Sequence, residues 1–255
     1  MTLEPLGNSH FHHQVTSIPE FYHYALQIHH VVKLQPRTIL EIGVGMRTVS
    51  DWLCRRGYYV KTFDRDPGLK PDYLGDLRQP LPIQEHFDVA LASEVFEHLK
   101  FHWLDTVLEN IRRVLKPGGH LVVSLPYTTL RFWPKRDRHG VPIPLYGGIW
   151  GGRIMTGIPY YWLQILMTGV RAGVRLLAKL FQWRRYTFRQ CFALVSPHPN
   201  PPEDRFDQHH WDLGFLPTTR KAVRAVFTRH FSLIEEAADI YANCVFFILR
   251  NDRAD

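Results

Sequence analysis

The chain has 255 residues, 45% hydrophobic and 22% charged, enough to bury one ordinary globular core with a substantial insertion and too apolar for a disordered or collagen-like chain. Its net charge of +7 sits in one segment: between Arg131 and Gln190 eleven Arg and Lys face the single acid Asp137, a local +10 that leaves the rest of the chain at −3. Cys54, Cys191 and Cys244 are odd in number, far apart and without CxxC spacing, which excludes a disulfide scaffold and points to a reducing, cytoplasmic setting.

In chain order, the first ten residues lack a basic n-region and an apolar h-region, so no cleaved secretion signal is expected. A helix is predicted over Phe21 to Lys33, and Pro36 then breaks the chain before the apolar run Thr38-Ile39-Leu40-Glu41-Ile42, a short buried strand. A second helix is predicted from Thr48 to Arg56, stopped by Gly57, and a second strand from Tyr59 to Asp64. Phe87 to Ala92 has strand character, Phe101 to Leu115 helical character ended by Lys116-Pro117-Gly118-Gly119, and His120 to Leu125 strand character again. Strands alternating with helices imply a parallel sheet covered on both faces. Near the end, Thr218 is the expected cap of a helix to about Arg229, and the β-rich stretches Phe231 to Ala237 and Tyr241 to Arg250 lie close enough to form an antiparallel hairpin.

Glu41-Ile42-Gly43-Val44-Gly45 stands where a buried strand gives way to a helix, so backbone can approach a ligand closely and helix N–H groups face outward. An acid, Asp64, ends the next strand roughly twenty residues on, where a carboxylate can accept from both ribose hydroxyls. A third acid, Asp76, follows in Gly75-Asp76-Leu77. The plainer alternative is that the glycines only make a tight turn and the aspartates only cap local structure. The glycine spacing does not match the GxGxxG of nicotinamide-binding proteins, which argues against a dehydrogenase.

Taken together, Thr38 to Gly45, Phe63-Asp64, Gly75-Asp76-Leu77, Phe87 to Leu99 and Val114 to Leu121 resemble the successive motifs of class I S-adenosylmethionine-dependent methyltransferases, over roughly residues 37 to 126. That resemblance implies an α/β, Rossmann-like fold: a mostly parallel seven-stranded sheet with a C-terminal antiparallel hairpin and a helical insertion after the fifth strand. It implies S-adenosyl-L-methionine as cofactor, with Gly43 and Gly45 on its methionine portion, Asp64 on the ribose, Asp76 by the adenine amine, Ser93 beside the transferred methyl, and Glu41 among the cofactor-binding residues. Arg47 stands where the family has a third glycine, so its side chain either crowds the turn or reaches the cofactor carboxylate.

Transfer to a hydroxyl requires that the attacking oxygen lose its proton. Glu94, Glu97 and His98 lie at i, i+3 and i+4, on one face of a helical turn if one follows the fourth strand. Downstream, Asp207-Gln208-His209-His210-Trp211-Asp212 closes the insertion. The pattern Glu94-x-x-Glu97-His98 is similar to one in plant small-RNA 2′-O-methyltransferases and ubiquinone-pathway O-methyltransferases, where such side chains with a later histidine can hold a divalent metal. Glu94, Glu97, His98 and His210 are therefore the candidate ligands for magnesium, manganese or zinc, and His98 and His210 the candidate bases. Trp211 is expected to pack, and the amino-terminal histidines His10, His12, His13, His23, His29 and His30 to lie on the surface.

Residues 1–255 are taken as one methyltransferase domain, with residues 131–210 a basic amphipathic insertion within it. From Tyr160 to Trp183 the polar residues Gln164, Thr168, Arg171, Arg175, Lys179 and Gln182 recur at three and four and form one narrow stripe opposite an apolar face. The uncharged stretch 154–170 is 17 residues, interrupted by Gly157 and Pro159, which argues against a spanning helix. The pattern suits a helix lying on an anionic membrane at the inner face, or a lid over the substrate pocket; nucleic acid ranks last because the face is aliphatic. The expected acceptor is an apolar or lipid-linked small molecule or glycan. The competing readings are a non-catalytic membrane-associated module with a degenerate pocket, and an RNA methyltransferase.

Overall fold

The computed structural model of the chain describes residues 18–126, 148–150, 153–155, 206, 209–211, 213, 217–239 and 244–252. The amphipathic segment of the insertion lies outside the described residues. So do His10, His12 and His13.

The first helix, α1, spans Ile18–Val32 and leads through Pro36 into β1, Thr38–Ile42. Helix α2 covers Thr48–Arg55 and ends as expected before Gly57, whose φ of 88° needs a residue without Cβ. Strand β2 is Tyr59–Asp64, β3 the two residues Tyr73–Leu74, and β4 Phe87–Ser93. Where one helix from Phe101 was expected, a 3-10 turn over Phe101–Trp103 precedes α3, Leu104–Arg113. Strand β5 runs from Leu115 to Pro126, and β6 (Gly148–Trp150) pairs with β7 (Arg153–Met155) apart from the main sheet. Helix α4, Arg220–His230, is capped by Thr219, whose hydroxyl accepts from the Ala222 amide, and not by Thr218, which is buried. Strands β8 (Ser232–Asp239) and β9 (Cys244–Arg250) form the expected antiparallel hairpin.

Seven strands make one sheet in the order β3-β2-β1-β4-β5-β9-β8, parallel from β3 through β5 and antiparallel at β9 and β8. Alternate residues of the central strands feed two cores, as a period of two requires. Leu40, Ile42, Ala90, Ala92, Leu121 and Val123 pack with Leu104, Val107, Leu108 and Ile111 of α3 and Val223 and Phe227 of α4. Ile39, Val89, Leu91 and Val122 face Val31 of α1 and Val49 and Leu53 of α2 on the other side. Asp88 ties the edges of this core together: its Oδ2 accepts from the Arg37 and Thr38 amides at 2.8 Å each and its Oδ1 from Lys116 Nζ at 2.7 Å. Although partial burial works against ionisation, those bonds hold its carboxyl down at about 2.

The strand order reverses between β1 and β4, neighbours that are not consecutive in the chain. In an open α/β sheet a crevice forms outside the carboxyl ends of strands at such a point. The site is built there.

Candidate active site

A cavity of about 770 Å³ opens at the carboxyl ends of β1, β2 and β4. It is lined by Glu41, Gly43, Gly45, Asp64 and Asp76 and also by His23, Ser93, Glu94, Val95, His98 and His209. Residues far apart in sequence therefore share one pocket because the parallel strands all end on the same side.

Gly43 has φ 79°, and a Cβ built on it would lie 2.4 Å from Val95 Cγ2. Only glycine lets β1 turn into the helix while the chain after β4 closes against it. The amide of Gly43 donates to the Phe63 carbonyl (2.9 Å) and that of Val44 to Asp64 Oδ2 (2.8 Å), while Asp64 Oδ1 accepts from the Asp66 amide (2.9 Å). Each Asp64 oxygen thus keeps lone-pair capacity toward the cavity. Glu41 is 5% exposed, and its Oε2 has no hydrogen-bond partner among the described residues. Burial pushes its carboxyl up to about 7, against the lowering effect of Ser50 and Arg47. A buried acceptor beside a glycine-floored cradle fits a ligand that carries a cationic amine, as the methionine end of S-adenosylmethionine does.

Arg47 neither crowds the turn nor enters the cavity. It adopts φ 59°, and its guanidinium donates to the Leu69 and Lys70 carbonyls at 3.2 Å each, with Asp51 3.9 Å from Nε. Its side chain leaves by the outside of the turn, so a residue other than glycine is accommodated. Asp76 is bound by Arg78, with Nη2 to Oδ2 at 2.5 Å. Partial burial opposes ionisation there, but the Arg78 hydrogen bonds and charge, with Arg65, hold the Asp76 carboxyl below its ordinary range. Phe206, not singled out from the sequence, also lines the cavity, its ring under the guanidinium of Arg65 at 3.4 Å and of Arg78 at 4.9 Å.

The carboxylate and histidine constellation differs from its expected form. The turn after β4 is a 3-10 helix over only Phe96–His98, and Glu94, ahead of it, takes φ 53°. An α-helical turn would have stacked Glu94 on Glu97 and His98; the left-handed backbone sends its carboxylate toward His23 instead, with Oε1 3.7 Å from Nδ1. The later histidine that joins Glu97 and His98 is His209, and among the described residues the ligand atoms of these three lie within 4.8 Å of one another. His210 is tied to the turn by its backbone, its amide donating to the Glu97 carbonyl at 2.7 Å. Of the two neighbours it is His209 that lines the cavity. Trp211 packs as expected, 4% exposed, with its indole N–H on the Leu99 carbonyl. Two amino-terminal histidines are not surface residues: His30 is buried against Phe246 with ring centroids 4.5 Å apart, and His23 lines the pocket.

The sheet order and the crevice with its glycine turn and acids define a class I S-adenosylmethionine-dependent methyltransferase. The chain belongs to the methyltransferase domain family, whose model matches residues 11–167, and is an enzyme of that class using S-adenosylmethionine. Its fold is similar to the N-methyltransferase NodS from Bradyrhizobium japonicum WM9 in complex with S-adenosyl-L-homocysteine, at 14% identity and TM-score 0.50 over 94% of this chain and 90% of that one. It is also similar to the PH0226 protein from Pyrococcus horikoshii OT3, at 13% identity and TM-score 0.51 over 96% of this chain and 94% of that one. An O-methyltransferase family protein from Burkholderia thailandensis matches at 11% identity and TM-score 0.50, over 92% of this chain and 57% of that one. At these identities the likeness is one of fold. No curated protein sequence matches the chain. Among the described residues no helix is long and apolar enough to cross a membrane.

Proposed function

We propose that this methyltransferase transfers its methyl group to a hydroxyl of an apolar or lipid-linked acceptor. The carrying observation is that one cavity brings the glycine turn and the acids Glu41, Asp64 and Asp76 together with His23, Glu94 and His98 and with the apolar Val95, Leu99 and Phe206. Glu41, Gly43 and Gly45 hold the methionine end of the cofactor, Asp64 the ribose, Asp76 the adenine edge, and Ser93 lies beside the acceptor. When bound, the cofactor supplies a methyl group on a positively charged sulfur. The chain supplies orientation, a shielded pocket and groups able to receive a proton.

Asp64→Ala removes an acceptor of charge-assisted hydrogen bonds, and its binding of S-adenosylmethionine in calorimetry is expected to weaken by about 1.5 to 3 kcal/mol, roughly 10- to 150-fold. Equal affinity in both proteins refutes the assignment of Asp64 to the ribose.

The basic insertion supports a membrane-associated acceptor, since its polar stripe opposite an aliphatic face suits an anionic lipid surface. Flotation with anionic liposomes is expected to carry the wild type at low salt, less at high salt, and not the Leu166→Ser/Leu176→Ser/Leu177→Ser variant, with cofactor binding kept. A wild type that stays behind at low salt assigns the segment to a lid over the pocket.

Glu97, His98 and His209 favour a divalent ion as a second element of the site. One carboxylate and two imidazoles match a zinc site with an open position better than an octahedral magnesium site, which needs more oxygen ligands. Such an ion would polarise an acceptor oxygen held beside these three residues. Dialysis against chelator followed by metal analysis tests it: zinc retained by the wild type and absent from His209→Ala supports the site, and no bound metal in either removes it.

A further inference from the structure

We propose that His23 of α1 is the terminal proton acceptor of the reaction, reached through a hydroxyl pair at the ends of β4 and β5. This rests on the hydroxyl-acceptor reading above. Ser93 Oγ lies 2.6 Å from Ser124 Oγ, and Ser124 Oγ 3.3 Å from His23 Nε2. On the other side of the ring, Nδ1 faces Glu94 Oε1 at 3.7 Å. Hydrogen bonds link Ser93, Ser124 and His23 in series, and the Glu94 carboxylate faces the far side of the ring at 3.7 Å as a charge without a hydrogen bond; α1 places the imidazole while β4 and β5 place the hydroxyls.

Three features set this line apart from an incidental contact. Ser124 is fully buried, so its hydroxyl can exchange a proton only with groups that touch it. Glu94 holds a left-handed backbone (φ 53°), a conformation costing a residue with a side chain on the order of 1 kcal/mol or more, and its amide is pinned to the Ser124 carbonyl at 3.0 Å. That conformation brings the carboxylate to the imidazole. Third, the ring of His23 is held edge-on against Phe246, with centroids 5.8 Å apart, which fixes its plane.

In the step itself the acceptor oxygen forms its bond to the methyl carbon as the carbon–sulfur bond breaks and the electron pair stays on sulfur. The acceptor's proton passes to Ser93 Oγ, the Ser93 proton to Ser124 Oγ, and the Ser124 proton to His23 Nε2. Glu94 faces the imidazolium that results, and the proton leaves to solvent after product release.

Two measurements test the assignment. In the ligand-free full chain, 15N spectra of the histidine rings, assigned with His23→Gln, are expected to show His23 protonated on Nδ1 with Nε2 carrying the lone pair. A ring protonated on Nε2 overturns the proposal whatever the acceptor is, and unchanged cofactor binding in His23→Gln separates that failure from a failure of the fold-level assignment. The second measurement offers two probes at mildly alkaline pH: 4-nitrophenol, which is already ionised, and phenol, which keeps its proton with a pKa of about 10. His23→Gln and Ser124→Ala are expected to lose roughly 100-fold or more in kcat on phenol while staying within about 3-fold on 4-nitrophenol, because only the protonated acceptor needs a base. Equal losses on both probes mean that His23 only shapes the pocket and overturn its role. A wild type that binds cofactor but methylates neither probe refutes a phenolic acceptor, and the ring tautomer then decides the assignment of His23.

Discussion

Gly43→Ala is expected to lower stability by about 2 to 4 kcal/mol and to weaken S-adenosylmethionine binding more than about 10-fold. Two costs add. The backbone at φ 79° disfavours any residue with a Cβ by roughly 1 kcal/mol or more, and the new Cβ meets Val95 Cγ2 at 2.4 Å, well inside contact distance. Val95 cannot rotate away cheaply, since a β-branched side chain has few allowed χ1 states. Either β1 shifts relative to the chain after β4 or the cradle opens, and both move the groups that receive the cofactor. Gly45→Ala separates the terms: it has φ 49° but nothing within 4 Å, so only the backbone cost of about 1 kcal/mol is expected. Adding Val95→Ala to Gly43→Ala should recover the packing part and leave the backbone part. Urea unfolding and calorimetry on the four proteins measure this, and a Gly43→Ala protein no worse than Gly45→Ala refutes the close approach.

The central sheet was legible because its signals are local. Runs such as Ile39 to Ile42 and Val89 to Ala92 have strand length, the first lies between Pro36 and Gly43, and the glycine turn and Asp64 lie within one βαβ unit. Strand β3 was missed because two residues carry no periodicity. Helix α1 was found to within a turn at its start, but its burial was not, because periodicity within one helix does not say which strand ends it covers. His23 meets Ser124 across 101 positions, a contact that only the packed sheet creates.

Around Glu94 the failure has a different physical origin. Residue spacing fixes a shared face only once the type of helical turn is known, and a single left-handed residue before a 3-10 turn breaks the i, i+3, i+4 rule. The choice between His209 and His210 depended on how the chain meets the turn after β4, where the His210 amide donates to the Glu97 carbonyl, a contact between distant residues that no local signal marks. Phe206 carried no signal beyond its type; its place beneath Arg65 and Arg78 follows from where the chain returns to the sheet. Arg47 is the converse case. A departure from the glycine pattern looked like damage to the site, yet the guanidinium finds the Leu69 and Lys70 carbonyls outside the turn.

Glu41 makes the ligand-free protein less stable as pH rises, and Glu41→Gln is expected to remove that dependence. Its folded carboxyl is raised from 4.5 to about 7, so between those values the folded state holds a proton the unfolded state has lost. Stability falls as pH climbs through that window and levels off above it, by about 3 to 4 kcal/mol at roughly 1.4 kcal/mol per unit. The groups facing the carboxyl are Ser50 and Arg47, which favour its ionised form, and Asp51, which opposes it; none offsets the burial. In Glu41→Gln the amide has no charge to bury, and the decline that this carboxyl gives the wild type over the window should be absent from its unfolding free energy. A cationic amine bound against the buried Oε2 favours the carboxylate, so cofactor binding should expel a proton near neutral pH and tighten as pH rises toward 7. Calorimetry in buffers of different ionisation enthalpy measures that proton, expected to approach one per cofactor below the carboxyl's midpoint and to vanish in Glu41→Gln. The variant is thus expected to be the more stable protein at alkaline pH and the weaker binder, by about 1.5 to 3 kcal/mol. Binding without proton release in the wild type would place the cofactor's amine elsewhere in the cavity.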